Sequence, residues 1–378
     1  MEDMPPPPRP RAPPALPDEL VEAILLRSPP DDPARLVHAA LVCRRWCRLV
    51  SGRSFRRRFR ARRPAPMLGF ISNDAVGDGG FSARFVRTAA SCPPLAARRG
   101  WHALDARAGR VLLHHRAAAA AATQGIRLAV WDPLASVQHQ HMVDLPSPVL
   151  PRRPRSLNAV LLCDDDDPPA EGAFVFRVVL VGTDAEGAFA CVYSSSPPEA
   201  AAWSEPSQQQ HPGDDHVDVV RGALVGDAVY FVCQRRTRVL RYDLATRAIT
   251  LLHLPPVSHN QRIALTATDG GGLGFARMER YRLGLWSSMD GGGGTMEWTR
   301  DREIDLRTLL PVIDLLGFAH GVVLVGTVDG FFSVDQKSDR ITKVGDGPGF
   351  YNLVPYATFY THPALGTTST DEGSSADG

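Results

Sequence analysis

Short apolar runs recur along most of the chain and restrict its fold more than any other feature of the sequence. Between Met67 and Val334 each run is bounded by Gly, Pro, Asp or Ser. Runs of roughly four to eight residues with turn residues between them are typical of strands in an all-β domain. No long helical period interrupts this pattern after Pro64, so we expect the larger part of the chain to be all-β.

Three segments of this region share one pattern: an apolar run that ends in Asp, a polar turn, a second run and a closing Pro or Gly-Pro. The Asp residues of the three segments are Asp132, Asp243 and Asp335. A carboxylate at this position accepts backbone N–H bonds and sets a hairpin turn. The three residues are about two propeller blades apart, at roughly 40–55 residues per blade. The pattern predicts a β-propeller-like domain of about six degenerate blades, with a β-sandwich or an irregular all-β domain as the alternative.

The segment 16–59 has a helical pattern instead. Pro17 suits a helix start because its φ is preset, and apolar residues after it return at helical spacing. We expect three helices, the last from about Val42 to Ser51 and ended by Gly52. A unit this small cannot bury all of its apolar surface, so we expect it to bind another protein.

The residues of this helical segment follow a specific order and spacing. They are the Leu16-Pro17 opening, Leu20, Ile24, Leu25, the Leu41-Val42-Cys43 step, Arg45-Trp46, Leu49 and the ending from Phe55 to Phe59. In this order the segment resembles the F-box, the adaptor-binding module of Skp–cullin–F-box (SCF) ubiquitin ligases. Arg27-Ser28 departs from the family pattern, in which Arg-Leu often precedes the Pro pair. An unrelated helical bundle that buries these residues internally is the alternative.

The region after the helical segment resembles the β-propeller-like domains that follow the F-box in a large plant family, which are loosely related to kelch propellers. The double glycine of a kelch blade is absent. The resemblance implies a multidomain chain, α followed by all-β. Its expected parts are a disordered Pro-rich N-terminus (1–15), an F-box (16–63), a β-propeller-like substrate-binding domain (64–362) and a disordered tail (363–378).

The same resemblance implies a function. The chain is expected to be the substrate receptor of an SCF ubiquitin ligase, whose F-box binds a Skp-type adaptor and, through it, a cullin. The β domain is expected to bind a target protein. The residues expected to contact the adaptor are Leu16, Pro17, Leu20, Ile24, Leu25, Val42, Trp46 and Val50.

An arginine run leaves a second function open. It consists of Arg56, Arg57, Arg58, Arg60, Arg62 and Arg63. Such a run contacts phosphate or serves as a nuclear address in some proteins, and it is a solvated helix face followed by a linker in others. The alternative function is a protein-binding scaffold that acts outside the cullin complex or associates with nucleic acid through this run. A net charge of +1 disfavours nucleic acid as a partner of the whole chain.

Enzymatic and membrane functions have no motif in this sequence. There is no G-x-S-x-G elbow, P-loop, dinucleotide fingerprint or zinc-protease motif, so we expect a non-catalytic protein without a cofactor. The histidines lack ligand spacing and the six cysteines form no C-x-x-C pair, so we expect no metal site and a reducing compartment. Without an apolar run of about 18 residues or a signal-peptide pattern, we expect an intracellular protein, cytoplasmic or nuclear, with no membrane partner.

Overall fold

The computed structural model describes residues 16–28, 33–61, 65, 67–76, 80–87, 97–116, 125–133, 142–163, 174–210, 215–256, 262–290, 296–309, 311–319, 321–346 and 353–358. These residues separate into two compact units, one before residue 65 and one from 65 to 359. The two segments predicted to be disordered, 1–15 and 363–378, lie outside the described residues.

The first unit contains helices throughout its described part. They are α1 (Asp18–Leu25), α2 (Pro33–Val42), α3 (Arg44–Ser51) and α4 (Arg53–Ala61). As predicted, α1 begins directly after Pro17 and α3 ends at Gly52. The prediction of three helices was wrong, because the residues from Arg53 to Ala61, which include the first four arginines of the run, form α4, and Phe55 and Phe59 of this helix are buried.

The boundary between α2 and α3 also differs from the prediction. Val42 is the last residue of α2, whereas the sequence suggested that it begins α3. Cys43 breaks the helix with an extended backbone, φ −161° and ψ 162°. Its Sγ accepts a hydrogen bond from the Trp46 amide at 3.5 Å, so it caps α3 in the way that a Ser side chain does.

The second unit is built from strands. They are β1 (Met67–Ala75), β2 (Phe81–Arg87), β3 (Arg98–Arg99), β4 (Trp101–Arg107), β5 (Arg110–His115), β6 (Leu128–Trp131), β7 (Met142–Asp144), β8 (Ser156–Cys163), β9 (Phe176–Thr183), β10 (Gly187–Ser194), β11 (Ala202–Trp203), β12 (Ser207–Gln210), β13 (Ala223–Val225), β14 (Ala228–Val232), β15 (Arg238–Asp243), β16 (Ile249–His253), β17 (Ile263–Ala267), β18 (Leu273–Glu279), β19 (Arg282–Asp290), β20 (Met296–Asp305), β21 (Val312–Ala319), β22 (Val322–Thr327), β23 (Gly330–Asp335), β24 (Ile341–Gly345) and β25 (Leu353–Ala357).

These strands form six antiparallel sheets, which are the blades of a propeller. Blade 1 has the strand order β25-β1-β2-β3, and blades 2 to 6 are β4–β7, β8–β12, β13–β16, β17–β20 and β21–β24. The innermost strands contact one another around a ring, for example β25 with β4 and β21 with β25. The predicted six-bladed propeller is therefore confirmed, and the β-sandwich is excluded.

The ring closes through the last strand of the chain. β25 pairs with β1, with Phe70 opposite Pro355 and Ile71 opposite Val354. Blade 1 is thus made of one strand from the end of the domain and three from its beginning. Full closure of this kind removes the exposed edges that an open array of sheets would leave.

The repeated Asp residues occupy equivalent places in alternate blades. Asp132, Asp243 and Asp335 lie where the third strand of blades 2, 4 and 6 ends, so they are two blades apart as predicted. The Asp243 carboxylate accepts the amide of Thr246 at 2.8 Å, and that of Asp335 accepts the amide of Ser338 at 2.7 Å. The predicted hairpin role is confirmed for these two residues.

Candidate functional site

Large apolar side chains are exposed on the helical unit. The exposed fractions are 50% for Leu16, 52% for Leu20, 53% for Ile24, 75% for Leu41 and 65% for Val42. Leu20 and Ile24 are four residues apart on α1, so they lie on one face of the helix, and Leu16 precedes the helix by two residues. We call these five residues the apolar patch. Exposed apolar residues of this kind make the segment a candidate protein-binding surface.

The helical unit also has buried apolar residues, which form a small core. Val21 and Leu25 face inward from α1, where they are buried together with Leu26, Leu36 and Val50. Hydrogen bonds from arginines of other helices stabilise the polar side of α1. The Arg45 guanidinium donates to the Asp18 carboxylate and, at 2.6 Å, to the Leu16 carbonyl.

The sequence-predicted adaptor residues divide into two groups. Leu16, Pro17, Leu20, Ile24 and Val42 are exposed and available for contact. The others are not at the free surface: Leu25 is 6% exposed, Val50 is 3% exposed and Trp46 is half-buried. Leu25 and Val50 thus belong to the interior of the helical unit in this chain.

Leu41 belongs to the patch but was not among the predicted contact residues. It is the most exposed large apolar residue of the helical unit. Its position in the Leu41-Val42-Cys43 step was a usable signal. The sequence could not show that α2 continues to Val42. Because it does, Leu41 and Val42 are the last two residues of this helix.

The propeller carries a groove of about 1220 Å³ beside blades 4 and 5. Tyr230, Thr250 and Thr268 line it, and β12 contributes Gln209 and Gln210. Three carboxylates also line it, those of Asp227, Asp269 and Asp301. These residues come from strands far apart in sequence, so no local motif announced the groove.

Side chains from several blades meet near the axis of the propeller. A cavity of about 40 Å³ remains there, between residues such as Asn73, Leu104 and Leu353 from the innermost strands and their neighbours. This volume suits a water molecule and excludes a larger ligand.

A buried carboxylate joins three blades beside this axis. Asp105 of β4 is fully buried and accepts from the Arg221 guanidinium at 2.6 Å, the Arg107 guanidinium at 2.9 Å and the Leu161 amide at 3.1 Å. Burial by itself raises the pKa of Asp105, but the charges and hydrogen bonds of Arg107 and Arg221 outweigh it and hold this pKa below its usual value. The carboxylate is therefore a structural anion.

The described residues offer no obvious reactive or metal-binding centre. Within the described ranges, no group of three His, Cys, Asp or Glu side chains is placed to hold a metal ion. Burial raises the pKa of the Cys191 and Cys233 thiols to about 12, which keeps both protonated and poorly nucleophilic. No helix in the described part is long and apolar enough to span a bilayer.

Comparison with known families accounts for both units. A family model described as F-box-like matches residues 14–62. A second model, described as the β-propeller of F-box protein AT5G49610-like proteins, matches residues 102–318. The second match covers more than half of the chain and falls within the propeller.

Comparison with individual proteins adds little. No curated protein matches the chain. Among solved structures, the extracellular domain of BT4673 from B. thetaiotaomicron is 13% identical over 75% of this chain and 30% of its own, with a TM-score of 0.36. Puromycin hydrolase is 13% identical over 75% of this chain and 54% of its own, with a TM-score of 0.34. AztD from Citrobacter koseri is 12% identical over 75% of this chain and 96% of its own, with a TM-score of 0.34. The chain thus spans less than two thirds of the first two proteins.

Proposed function

The chain belongs to the F-box proteins with an AT5G49610-like β-propeller, and we propose that it is the substrate receptor of an SCF ubiquitin ligase. The arrangement of an F-box followed by a propeller is that of a substrate-receptor-type protein. In this proposal the helical unit binds a Skp-type adaptor and, through it, a cullin. The propeller binds the target protein, and the chain itself performs no catalysis: it supplies proximity and orientation for ubiquitin transfer by other subunits.

The apolar patch is the observation that carries this proposal. Its five large side chains are each at least half exposed, although the unit has a core of its own. Leaving such residues in water is unfavourable by about 25 cal/mol per Å² of apolar surface, so covering them by a partner would be favourable. Leu20 and Ile24 present a helix face of the kind that docks on an apolar partner surface, and exposed Leu16 lies just before the helix.

The alternative based on the arginine run has less support from the side-chain contacts. The Arg56 guanidinium donates to the Ser51 carbonyl at 2.7 Å, and that of Arg58 donates to the Glu22 carboxylate at 2.8 Å. Two members of the run therefore stabilise the helical unit itself. Arg62 and Arg63 lie outside the described residues.

A double substitution in the patch tests the proposal. Leu20→Ala with Ile24→Ala removes two exposed anchors and keeps good helix-forming residues, so α1 should persist. Anchors at an interface cost about 2 kcal/mol each when truncated, and two should weaken adaptor binding more than a hundredfold. Calorimetry with a purified Skp-type adaptor and co-purification of cullin are the measurements.

Two controls separate contact from folding. Val149→Ala alters an 85% exposed apolar residue of the propeller and should leave adaptor binding unchanged. Leu25→Ala creates a cavity under α1 and should lower the thermal stability of the helical unit, whereas the double variant should not. Wild-type recovery of adaptor and cullin by the double variant would refute the proposal. If the wild-type chain recovers the adaptor but no cullin, this result would favour a scaffold that acts outside the cullin complex.

A further inference from the structure

The groove beside blades 4 and 5 follows the outer edge of β16. This strand is the outermost one of blade 4, and four consecutive residues of it, from Ile249 to Leu252, line the groove. Successive side chains of a strand point to opposite faces. Here Leu251 packs on the cluster shared with blade 3, and Leu252 belongs to the cluster shared with blade 5. The groove therefore borders both faces of β16 and the edge between them.

The register between β15 and β16 shows which backbone groups of β16 face this edge. The Asp243 amide donates to the Ala248 carbonyl at 3.0 Å, and the Leu254 amide donates to the Thr237 carbonyl at 2.9 Å. Bonded and non-bonded pairs alternate in an antiparallel ladder. The even-numbered residues of 248–254 thus bond to β15, and the odd-numbered ones turn their amides and carbonyls outward.

A contact at the end of the strand agrees with this register. The outward carbonyl of His253 accepts a hydrogen bond from the Trp298 indole at 2.8 Å. Ile249 and Leu251 turn two further amides and two further carbonyls to the same side. Within the described ranges β15 is the only strand that pairs with β16. The edge can therefore accept one more strand.

The edge of β16 lacks the protection that the other outer strands have. Sheet edges are commonly protected by charged side chains or by very short strands. The outer strands β20 and β24 carry charged residues, among them Arg300 and Lys343. Those of blades 1 and 2, β3 and β7, have two and three residues. β16 has the sequence ITLLH, without Asp, Glu, Lys or Arg.

The groove beside this edge is negatively charged. Its carboxylates are those of Asp227, Asp269 and Asp301. Arg241 also lines the groove, but its guanidinium donates to the Asp243 carboxylate at 2.7 Å. Asp269 lies 3.8 Å from the Lys337 ammonium, and these side chains are 97% and 86% exposed, so this ion pair is weak. The groove therefore favours a positively charged ligand.

We propose that an extended basic segment of the target protein binds along this groove as an added strand of blade 4. This inference rests on the proposed role of the propeller in target binding and names the chemical class of the target. In this binding mode main-chain hydrogen bonds provide affinity, and alternate side chains provide specificity.

The two sides of the groove define the sequence pattern of the segment. Asp269 and Asp301 line the side of blade 5, and Gln209 and Gln210 of β12 line the side of blade 3. Because the side chains of an added strand alternate between these sides, we expect Lys or Arg at every second position and polar residues between them.

The charge of the groove favours such a segment over two other occupants. A second copy of the chain that paired through the same edge would bring two sets of these carboxylates together, and like charges repel. The phosphates of a nucleic acid have the same sign as the groove and would be repelled as well. A basic peptide has the opposite charge and a backbone that can pair with the edge.

Fluorescence anisotropy with the full chain tests the charge and the alternation. The probe is a labelled peptide in which Arg alternates with Thr, a residue that favours strands. One control peptide has Glu in place of Arg, and another has all its Arg residues in one block. We expect the alternating peptide to bind at least tenfold more tightly than the Glu peptide and at least threefold more tightly than the block peptide. Binding should weaken as salt concentration rises.

N-methylated peptides test the pairing with the edge. N-methylation removes an amide donor and leaves the side-chain charge unchanged, and only alternate amides of an added strand face β16. Methylation of one alternating set should therefore weaken binding at least tenfold, and methylation of the other should not. Loss with the Thr set identifies an antiparallel strand, because residues opposite Ile249 and Leu251 would point toward blade 3. Loss with the Arg set identifies a parallel strand.

Substitutions locate the groove on the protein. Asp269→Asn with Asp301→Asn alters two exposed side chains and should weaken binding of the Arg peptide at least tenfold. The matched control, Asp144→Asn with Asp339→Asn, changes the net charge equally at exposed positions of blades 2 and 6 and should bind as the wild type does.

A proline tests the edge from the side of the protein. Leu251→Pro removes an outward amide and keeps the bonds to β15, which is the position where an edge strand tolerates proline. It should weaken binding of the Arg peptide at least tenfold. If this variant folds poorly, the methylated peptides test the same edge on the wild type.

Four results would overturn the inference. They are equal binding of the Arg and Glu peptides, unchanged binding by the folded double variant, equal effects of the two methylated sets, or a wild-type dimer in ultracentrifugation that Leu251→Pro abolishes. Adaptor capture is measured separately on the same proteins. Failure of the peptide tests with normal adaptor capture would refute the groove and spare the proposed receptor role. Edge binding of the Arg peptide by a wild-type chain that captures no adaptor would do the reverse.

Discussion

Replacement of the buried Asp105 by Asn should destabilise the propeller strongly. Asp105 connects β4 of blade 2 to the Leu161 amide of blade 3 and to Arg221, which precedes blade 4. Asn keeps the shape of the side chain but removes the negative charge, so the guanidiniums of Arg107 and Arg221 lose their counter-ion. Breaking a buried ion pair by removing one partner costs about 3–5 kcal/mol. We expect the lower end, about 3 kcal/mol, because the Asn oxygen still accepts one hydrogen bond.

A matched substitution shows what an exposed pair contributes. Asp339 pairs with Arg302 at 2.9 Å, and their side chains are 46% and 38% exposed. Asp339→Asn removes the same charge and should cost at most about 1 kcal/mol, because exposed ion pairs are weak. Asn also tolerates the positive φ of 57° at this position. Urea unfolding followed by Trp fluorescence, with the reverse titration, gives both free energies of unfolding.

The pH dependence provides an independent check. The folded pKa of Asp105 is lowered, so its stabilising contribution is present above its unfolded pKa and is lost as the pH falls through the folded value. The unfolded value is about 3.9. The difference in stability between wild type and Asp105→Asn should therefore be constant near neutral pH and shrink well below pH 4. If Asp105→Asn lowers the free energy of unfolding at neutral pH by no more than Asp339→Asn does, Asp105 does not hold the blades together.

Three further predictions concern the architecture of the propeller. Deletion of Leu353–Ala357 should abolish cooperative unfolding, because it removes the innermost strand of blade 1; removal of 363–378 is the control, and an unchanged melting curve would argue against closure. Gly182→Ala should cost about 1–3 kcal/mol in urea, because a Cβ there would lie 2.3 Å from the buried ring of Phe189; wild-type stability would contradict this. Asp243→Ala should cost about 1 kcal/mol, because the carboxylate accepts two bonds from Thr246; no loss in thermal unfolding would show that the turn forms without it.

The helical unit shows how far local patterns reach. The order of apolar residues predicted a partner-binding unit, and the start at Pro17 and the end at Gly52 followed from backbone chemistry alone. The same pattern could not separate Ile24, which is 53% exposed, from its neighbour Leu25, which is 6% exposed. That difference depends on how α1 packs on the other helices. The helix break at Cys43 was missed because a thiol is an uncommon cap.

In the propeller, the sequence by itself determined the strands, the hairpins and their repeat. Their signals are local: apolar runs, turn residues, and carboxylates such as Asp243 that bond to amides two or three residues away. The tertiary structure decided how the ends of the domain meet, because β25 and β1 are joined by pairing between residues far apart in sequence. It also decided which charges are neutralised. Asp105 finds Arg221, while the guanidiniums of Arg116 and Arg127 lie over aromatic rings. Such pairings depend on distances in the folded chain, so spacing along the sequence carries no record of them.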